Sequence, residues 1–354
     1  MGRKILLLIT DLEIGGTPTV VRELALRLND PAKVLIEVAC LAPWGPVADD
    51  LKAHNIPVHA LAVTSVRDLT VILRLISLIR QNAYDTVFSF LIHANAVAAV
   101  ASLVVRFRLI QSIQTTQPRP RWHWWVQSLV KRRADKIAVP SESAARSAED
   151  RARVDRDQIV VIPNAIDPDA FAPSPIPAEN PRPFPIGFIG RLDPIKRIPH
   201  LVKSLKQAKE LVHLHIFGEG RDRTEIAAVV RLLGLDRVVT LHGAIVRPQD
   251  ALAQIGLLVL PSAAEGFGLV LIEAMAAGVP VIGTDVPGIR DVVKEGSGVL
   301  VPPDDEQQLA AAIDQLVRDA ALRHSLTEAA ARHVRSNYTW EQILPQYRQL
   351  LKIV

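Results

Sequence analysis

Short apolar, β-favouring runs alternate along the whole chain with longer segments of helical period, and this alternation restricts the fold more than any other feature. In the first half it reads strand 4–10, helix 20–28, strand 34–41, helix 66–80 and strand 86–90. In the second it resumes as strand 186–190, helix 201–211, strand 213–217, helix 223–233 and strands 238–243 and 256–260. Strands separated by helices imply parallel sheets with right-handed crossovers, one sheet per half. Between the halves, eight prolines fall within residues 163–185, and a stretch with so few backbone donors makes neither a helix nor a central strand. The expected organisation is therefore a domain over 1–165, a linker over 166–185, a second domain over 186–335 and a C-terminal helix over 336–354 that packs back toward the first domain. A length of 354 residues also exceeds the roughly 250 that one core accommodates. Open sheets of this kind bind ligands beyond the carboxyl ends of their strands, so two Rossmann-like domains facing one another are expected to form a cleft.

Other classes fall away quickly. Cys40 is the single cysteine and lies in an apolar run, so a disulfide framework is impossible and a buried, reduced thiol is expected. The run at residues 5–9 is too short for a signal-peptide core or a membrane span and meets Asp11 and Glu13 at once, which reads as a first buried strand in a cytoplasmic protein. Gly15-Gly16 lacks the G-x-G-x-x-G spacing that seats a dinucleotide pyrophosphate, which disfavours a dehydrogenase.

Residues 261–280, PSAAEGFGLVLIEAMAAGVP, carry the most chemistry. A strand runs into a glycine-bearing turn and then a helix over 269–277 stopped by Gly278 and Pro280, so free N–H groups and the positive dipole end point at the strand ends, where a diphosphate would be stabilised. Glu265 and Glu273 would lie about 12 Å apart if helical geometry held between them, beyond the roughly 5 to 9.5 Å of a glycosidase acid pair. Two such carboxylates suit two hydroxyl-bearing parts of one long ligand. A bare charge at Glu273 among apolar neighbours would be costly without such a use.

At these residues the sequence resembles the retaining glycosyltransferases of family four, the GT-B group marked by two glutamates separated by seven residues. Glu265 and Glu273 match that pattern. So do Gly15-Gly16, His93-Ala94-Asn95, Pro163-Asn164-Ala165-Ile166-Asp167, Gly190-Arg191-Leu192 with Lys196, Gly218-Glu219-Gly220 and Gly243, across nearly the whole chain. The resemblance implies a GT-B fold and transfer of a hexose from a nucleotide-diphosphate sugar to an acceptor hydroxyl with retention.

Carried onto this chain, the resemblance implies that Arg191 and Lys196, after the strand end at Gly190, hold the donor diphosphate, a task that suits their persistent positive charge. Glu273 would bind the ribose. Glu265, with the backbone of Phe267, Gly268 and Leu269, would face the donor sugar and phosphates. Gly218 belongs to the same donor set, and the base would lie near Ala244 and Ile245. UDP is the expected nucleotide, with GDP and ADP left open. Gly15 and Gly16 fill the place of the family's glycine loop near the donor phosphate and acceptor. The family often has an acidic or bulky polar residue next, whereas Thr17-Pro18-Thr19 follows here, so Thr17 is an acceptor-side candidate that departs from the pattern. His93 matches a histidine near the reacting sugar, with Asn95 beside it on the acceptor side. From the residues alone, a histidine packed under a helix fits His93 equally well.

No metal or other cofactor is expected. Asp155-Arg156-Asp157 and Asp167-Pro168-Asp169 look like paired metal ligands but read as solvated turns, and the cations and the helix terminus supply the charge that a departing diphosphate needs. Residues 106–136 hold Arg106, Arg108, Arg119, Arg121, Lys131, Arg132, Arg133 and Lys136 against Asp135 alone, a net +7, with Trp122, Trp124 and Trp125 among them. Two readings fit: an anionic membrane surface at the inner face of the membrane, or an amphipathic helix with tryptophan partly in the core. Nothing resembles a nucleic-acid module. The sequence thus reads as a UDP-sugar-dependent retaining transferase of glycolipid, polysaccharide or other cell-envelope glycan synthesis. A same-fold nucleotide-sugar epimerase and a non-catalytic sugar-nucleotide or membrane scaffold are the alternatives.

Overall fold

The computed structural model describes residues 3–63, 68–171 and 182–353. It divides into two compact units, Met1–Asn164 with Glu341–Val354, and Ala165–Trp340. In the first, seven strands, β1 (Arg3–Ile9), β2 (Val34–Cys40), β3 (Val58–Ala60), β4 (Thr86–Phe90), β5 (Arg108–Ser112), β6 (Lys136–Val139) and β7 (Ile159–Val161), form one sheet in the order β3-β2-β1-β4-β5-β6-β7. In the second, β8 (Phe184–Ile189), β9 (Val212–Phe217), β10 (Val239–Gly243), β11 (Leu257–Leu260), β12 (Val281–Thr284) and β13 (Val299–Val301) pair in the order β10-β9-β8-β11-β12-β13. Every pairing in both sheets is parallel. Helices cover such sheets on both faces, which is why β1 is apolar without alternation: Ile5, Leu6, Leu7, Leu8 and Ile9 are all fully buried.

In each sheet the strand order reverses once, between β1 and β4 and between β8 and β11. A crevice opens at the carboxyl ends of such a pair because the crossovers leave in opposite directions. Gly15 and His93 follow β1 and β4, and Gly190 and Glu265 follow β8 and β11, so each unit's candidate residues flank its own switch point.

Three expectations need adjusting. The helix expected over 201–211 is Ile198–Ser204, because the N–H groups of Lys209 and Glu210 turn to the buried carboxylate of Asp314 at 2.9 to 3.0 Å. The helix expected over 66–80 is Thr70–Asn82; residues 64–67 lie outside the described residues. The expected linker 166–185 also falls partly outside them, at 172–181. Its first residues are no free tether: Ile166 bridges to Thr339 and donates to the Tyr338 carbonyl at 2.9 Å, and Asp169 pairs with Arg335 at 2.9 Å, which extends the second unit to residues 165–340. The final helix, Trp340–Leu351, closes on the first unit. Arg3 and Arg108 cap the carbonyls of Leu351 and Leu350 at 3.1 and 2.8 Å, and Tyr347 packs on Phe88.

Candidate active site

In the second unit three glycines end three neighbouring strands and lock together. Gly190 donates to the carbonyl of Phe217 at 3.0 Å, and Gly218 to that of Gly243 at 2.7 Å. Gly218 has φ +148, and a Cβ there would stand 1.9 Å from the carbonyl oxygen of Gly190. Only glycine fits so close an approach. The same loops are tied by Leu192, which donates to the Glu219 carbonyl at 2.9 Å and accepts from Asp222 at 3.0 Å.

Across the switch point, the loop after β11 turns its acid inward. Glu265 accepts from the Lys196 ammonium and, on the same oxygen, from the Ser262 hydroxyl at 2.7 Å. Ser262 is itself fixed by Thr284, whose hydroxyl donates to its carbonyl, and Ala263 donates to the Ile195 carbonyl at 2.8 Å. The β8 and β11 loops are therefore one hydrogen-bonded assembly. Lys196 and Glu265 keep side-chain exposures of 18% and 13%, so the pair is largely desolvated. Arg191 stands at 64% exposure and pairs with Asp193, leaving its guanidinium facing water.

The helix Leu269–Ala276 begins at Gly268, in the left-handed region at φ +86, with no side-chain cap and no acid in its first turn. Its N-terminal donors are thus open to an anion. Glu265 lies in the turn before this helix, so the helical 12 Å separation from Glu273 expected from sequence does not apply. Glu273 is on the helix and buried, and burial pushes its pKa up to about 7. Ala244 is exposed and Ile245 half-buried just after β10.

Sequence reasoning passed over Ser262, Thr284 and Gly288. Gly288, at φ +85, lies so close under the Glu265 turn that a Cβ would stand 2.2 Å from the Glu265 carbonyl oxygen. The signals were slight: a serine after the strand-ending Pro261, and a Pro-Gly turn after β12.

The first unit presents Gly15 and Gly16 at the start of the helix Gly16–Leu28. Gly15 is extended, its carbonyl accepts from the N–H and hydroxyl of Thr19 at 3.1 and 2.9 Å, and nothing lies within 4 Å of a Cβ at Gly16. Unlike Gly218, neither is required by the protein's own packing, and Thr17 is half-buried beside them.

His93 occupies the first turn of the helix Ile92–Ala101 and packs edge-on against Trp122 and His123, at ring-centroid distances of 5.9 and 5.6 Å. Part of its ring reaches solvent. Desolvation lowers its pKa, opposed by the charge of Asp11, and desolvation together with His93 lowers that of His123. The residue leading in is strained: Leu91 has φ 72 and ψ 157, a region nearly reserved for glycine, which costs about 1 to 3 kcal/mol and is common at functional turns.

Asn95 does not share this surface. It is 1% exposed, accepts from Ser89 at 2.7 Å and donates to the Ser112 carbonyl and to Gln127 at 3.0 Å each. Its polar capacity is spent in a core network, which removes it from the acceptor-side set. Of the suspected acid pairs, Asp155 lies 3.7 Å from Lys131, Asp167 accepts from the Asp169 N–H at 3.2 Å, and Asp169 pairs with Arg335 at 2.9 Å.

Two doubly wound parallel units, each with glycine-bearing strand ends at its switch point, define the GT-B class of fold. Residues 14–170 match Glycosyltransferase Family 4 and residues 174–333 match Glycosyl transferases group 1, and this chain belongs to the group 1 glycosyltransferases. Among solved structures it is similar to HepE of Anabaena, determined with UDP and glucose, with a TM-score of 0.89, 23% identity and coverage of 99% of this chain and 100% of that one. Among curated relatives it is 35% identical over 205 residues to an exopolysaccharide phosphotransferase of Streptomyces coelicolor, across 55% of this chain and 21% of the relative. It is 32% identical over 248 residues to D-inositol 3-phosphate glycosyltransferase of Corynebacterium urealyticum, across 61% and 57%. The chain therefore spans about a fifth of the first and just over half of the second.

Proposed function

We propose that the chain is a retaining glycosyltransferase that moves a sugar from a UDP-sugar to an acceptor hydroxyl in cell-envelope glycan synthesis, without a metal. The observation that carries this reading is the Lys196–Glu265–Ser262 assembly at the β8/β11 switch point, beside a helix terminus open to an anion. UDP and glucose in HepE, and the exopolysaccharide and inositol-phosphate chemistry in the names of the curated relatives, support the choice of donor and pathway class.

In this reading Lys196, Arg191 and the N–H groups at Phe267, Gly268 and Leu269 neutralise the diphosphate, and Glu273 accepts from the ribose hydroxyls. Gly190 and Gly218 give the phosphates room, and Ala244 and Ile245 border the base. Glu265 is held by Lys196 and Ser262, which suits it to accept from a sugar hydroxyl and not to attack carbon. The acceptor oxygen then bonds to the anomeric carbon on the face from which the diphosphate leaves, the carbon–oxygen bond to the β-phosphate breaks, and the acceptor proton passes to that phosphate oxygen. Charge grows on the leaving group, where the cations act most strongly.

A thermal-shift screen of nucleotide sugars tests the donor, since a ligand at a hundredfold its dissociation constant adds about 2.7 kcal/mol of stability. Stabilisation by UDP and a UDP-sugar is the expected result. No response to any nucleotide would leave a scaffold, and conversion of the sugar without an added acceptor would leave an epimerase.

A further inference from the structure

We infer that the first unit docks on an anionic bilayer through the outward faces of two neighbouring helices, and that this face ends at His93. The first is Ile92–Ala101 with the turn after it, and the second is Arg121–Val130. Val100, Leu103 and Val104 on one, and Trp122, Trp125 and Leu129 on the other, are all exposed, with Trp122 at 51% and Trp125 at 63%. Trp122, Trp125 and Leu129 follow helical spacing along one side, while Trp124 turns the opposite way, is buried and donates its indole N–H to the Gln117 carbonyl at 2.7 Å. The tryptophans thus divide between core and surface. Arg133 joins the two helices at one end, donating to the Ser102 hydroxyl and carbonyl at 3.1 and 3.0 Å; Trp122 packs on His93 at the other. The two helices therefore lie side by side, each with exposed apolar residues.

The charge around this face selects the partner. Of the eight basic residues in 106–136, Arg108 pairs with Asp135 and caps Leu350, Lys131 pairs with Asp155, Lys136 donates to Asp157, and Arg133 is used at Ser102. Arg106, Arg119, Arg121 and Arg132 remain exposed, and none has an ion pair among the described residues. Arg119 and Arg121 stand at the N-terminus of the tryptophan helix, whose first turn has no acid and whose cap offers no side chain. Their charge adds to the positive helix end instead of offsetting it, an arrangement that is relieved by an external anion. Indoles and leucine flanked by free arginines match a headgroup layer, apolar below and anionic above. Among the described residues no helix is long and apolar enough to cross a membrane, so the contact is interfacial. Given the transferase reading, an acceptor carried in that bilayer would meet the protein beside His93.

The test is flotation of the full chain with vesicles of phosphatidylcholine, alone or mixed equally with phosphatidylglycerol. Wild type should partition onto the anionic vesicles about tenfold or more above the neutral ones. Raising salt from 0.1 to 1 M, which shortens screening from about 10 to about 3 Å, should remove most of that preference. Arg121→Glu with Arg132→Glu should abolish the anionic preference, Trp122→Ser with Trp125→Ser should weaken binding at every salt concentration, and Arg231→Glu in the second unit should change nothing. The inference fails if wild type does not float with anionic vesicles at low salt, or if both double variants bind as wild type does. A wild-type dimer dispersed by the tryptophan variant in sedimentation velocity would also overturn it, assigning the face to a second copy. UDP binding in solution, measured on the same variants, reports separately on the donor reading.

Discussion

Lys196 and Ser262 donate to one and the same oxygen of Glu265, the hydroxyl at 2.7 Å, and so hold a lysine from the β8 loop and an acid from the β11 loop as one unit. If a donor diphosphate binds here as proposed, it competes with Glu265 for the ammonium, and binding rearranges this pair.

Lys196→Ala is expected to lower turnover by about a hundredfold, the usual loss when a donor to a developing anion is removed. It should also destabilise the fold by about 1 to 3 kcal/mol, because Glu265 is largely buried and loses its counter-charge. Arg191→Ala should differ: its pair with Asp193 is exposed, so stability stays within about 0.5 kcal/mol while donor affinity falls. Steady-state kinetics and thermal denaturation separate the two. Unaltered kinetics in both variants would remove the pair from the site.

Gly16→Ala and Gly218→Ala should fail in opposite ways. At Gly218 the methyl meets the Gly190 carbonyl at 1.9 Å in a conformation that L-residues avoid, so a loss of about 3 kcal/mol or more is expected. At Gly16 it meets nothing within 4 Å at the start of a helix, so stability should move by less than about 1 kcal/mol. If ligand fills that space, turnover still drops by about tenfold or more. Wild-type turnover in Gly16→Ala would make the glycine pair a mere turn.

The architecture was legible because buried parallel strands run apolar with little interruption: residues 5–9 lie fully buried in β1. The helix after residue 200 was not, since its early end depends on Asp314, more than a hundred residues away. The site shows the same division. Local chemistry marks Glu265, Glu273, Lys196 and the strand-end glycines as candidates. Asn95 misled because its partners Ser89, Ser112 and Gln127 come from three separate elements that only the fold assembles, and the engaged arginines and lysines of 106–136 were indistinguishable from the free ones for the same reason.

Turnover in excess chelator should equal turnover with magnesium. The motive is a positive one, two cations and an open helix terminus around the expected leaving group. Loss of activity on chelation that a divalent ion restores would place a metal in the reaction.

Glu273 gives the sharpest pH dependence. Its carboxyl titrates near 7 in the folded protein against an ordinary 4.5, because burial penalises the charged form. Between those values the native state holds a proton that the unfolded chain has released, so stability without ligand is greatest below about pH 4.5 and is lost as pH rises through 7, by up to about 3 kcal/mol. Donor binding should run the other way, because an ionised carboxylate accepts from ribose hydroxyls more strongly than a neutral acid does. UDP-glucose suits the measurement, since its diphosphate has no proton to lose in this range. Its affinity for wild type should rise from pH 6 to 8 and level off above 7, while the melting temperature of the free protein falls over the same interval. Glu273→Gln should flatten both profiles, melt higher than wild type at pH 8 and bind the donor more weakly there. Calorimetric titration at pH 6, 7 and 8 with parallel melting curves gives both readings. An affinity that is flat in wild type, or that rises equally in the glutamine variant, would take Glu273 out of donor binding and leave it a buried acid of the helix core.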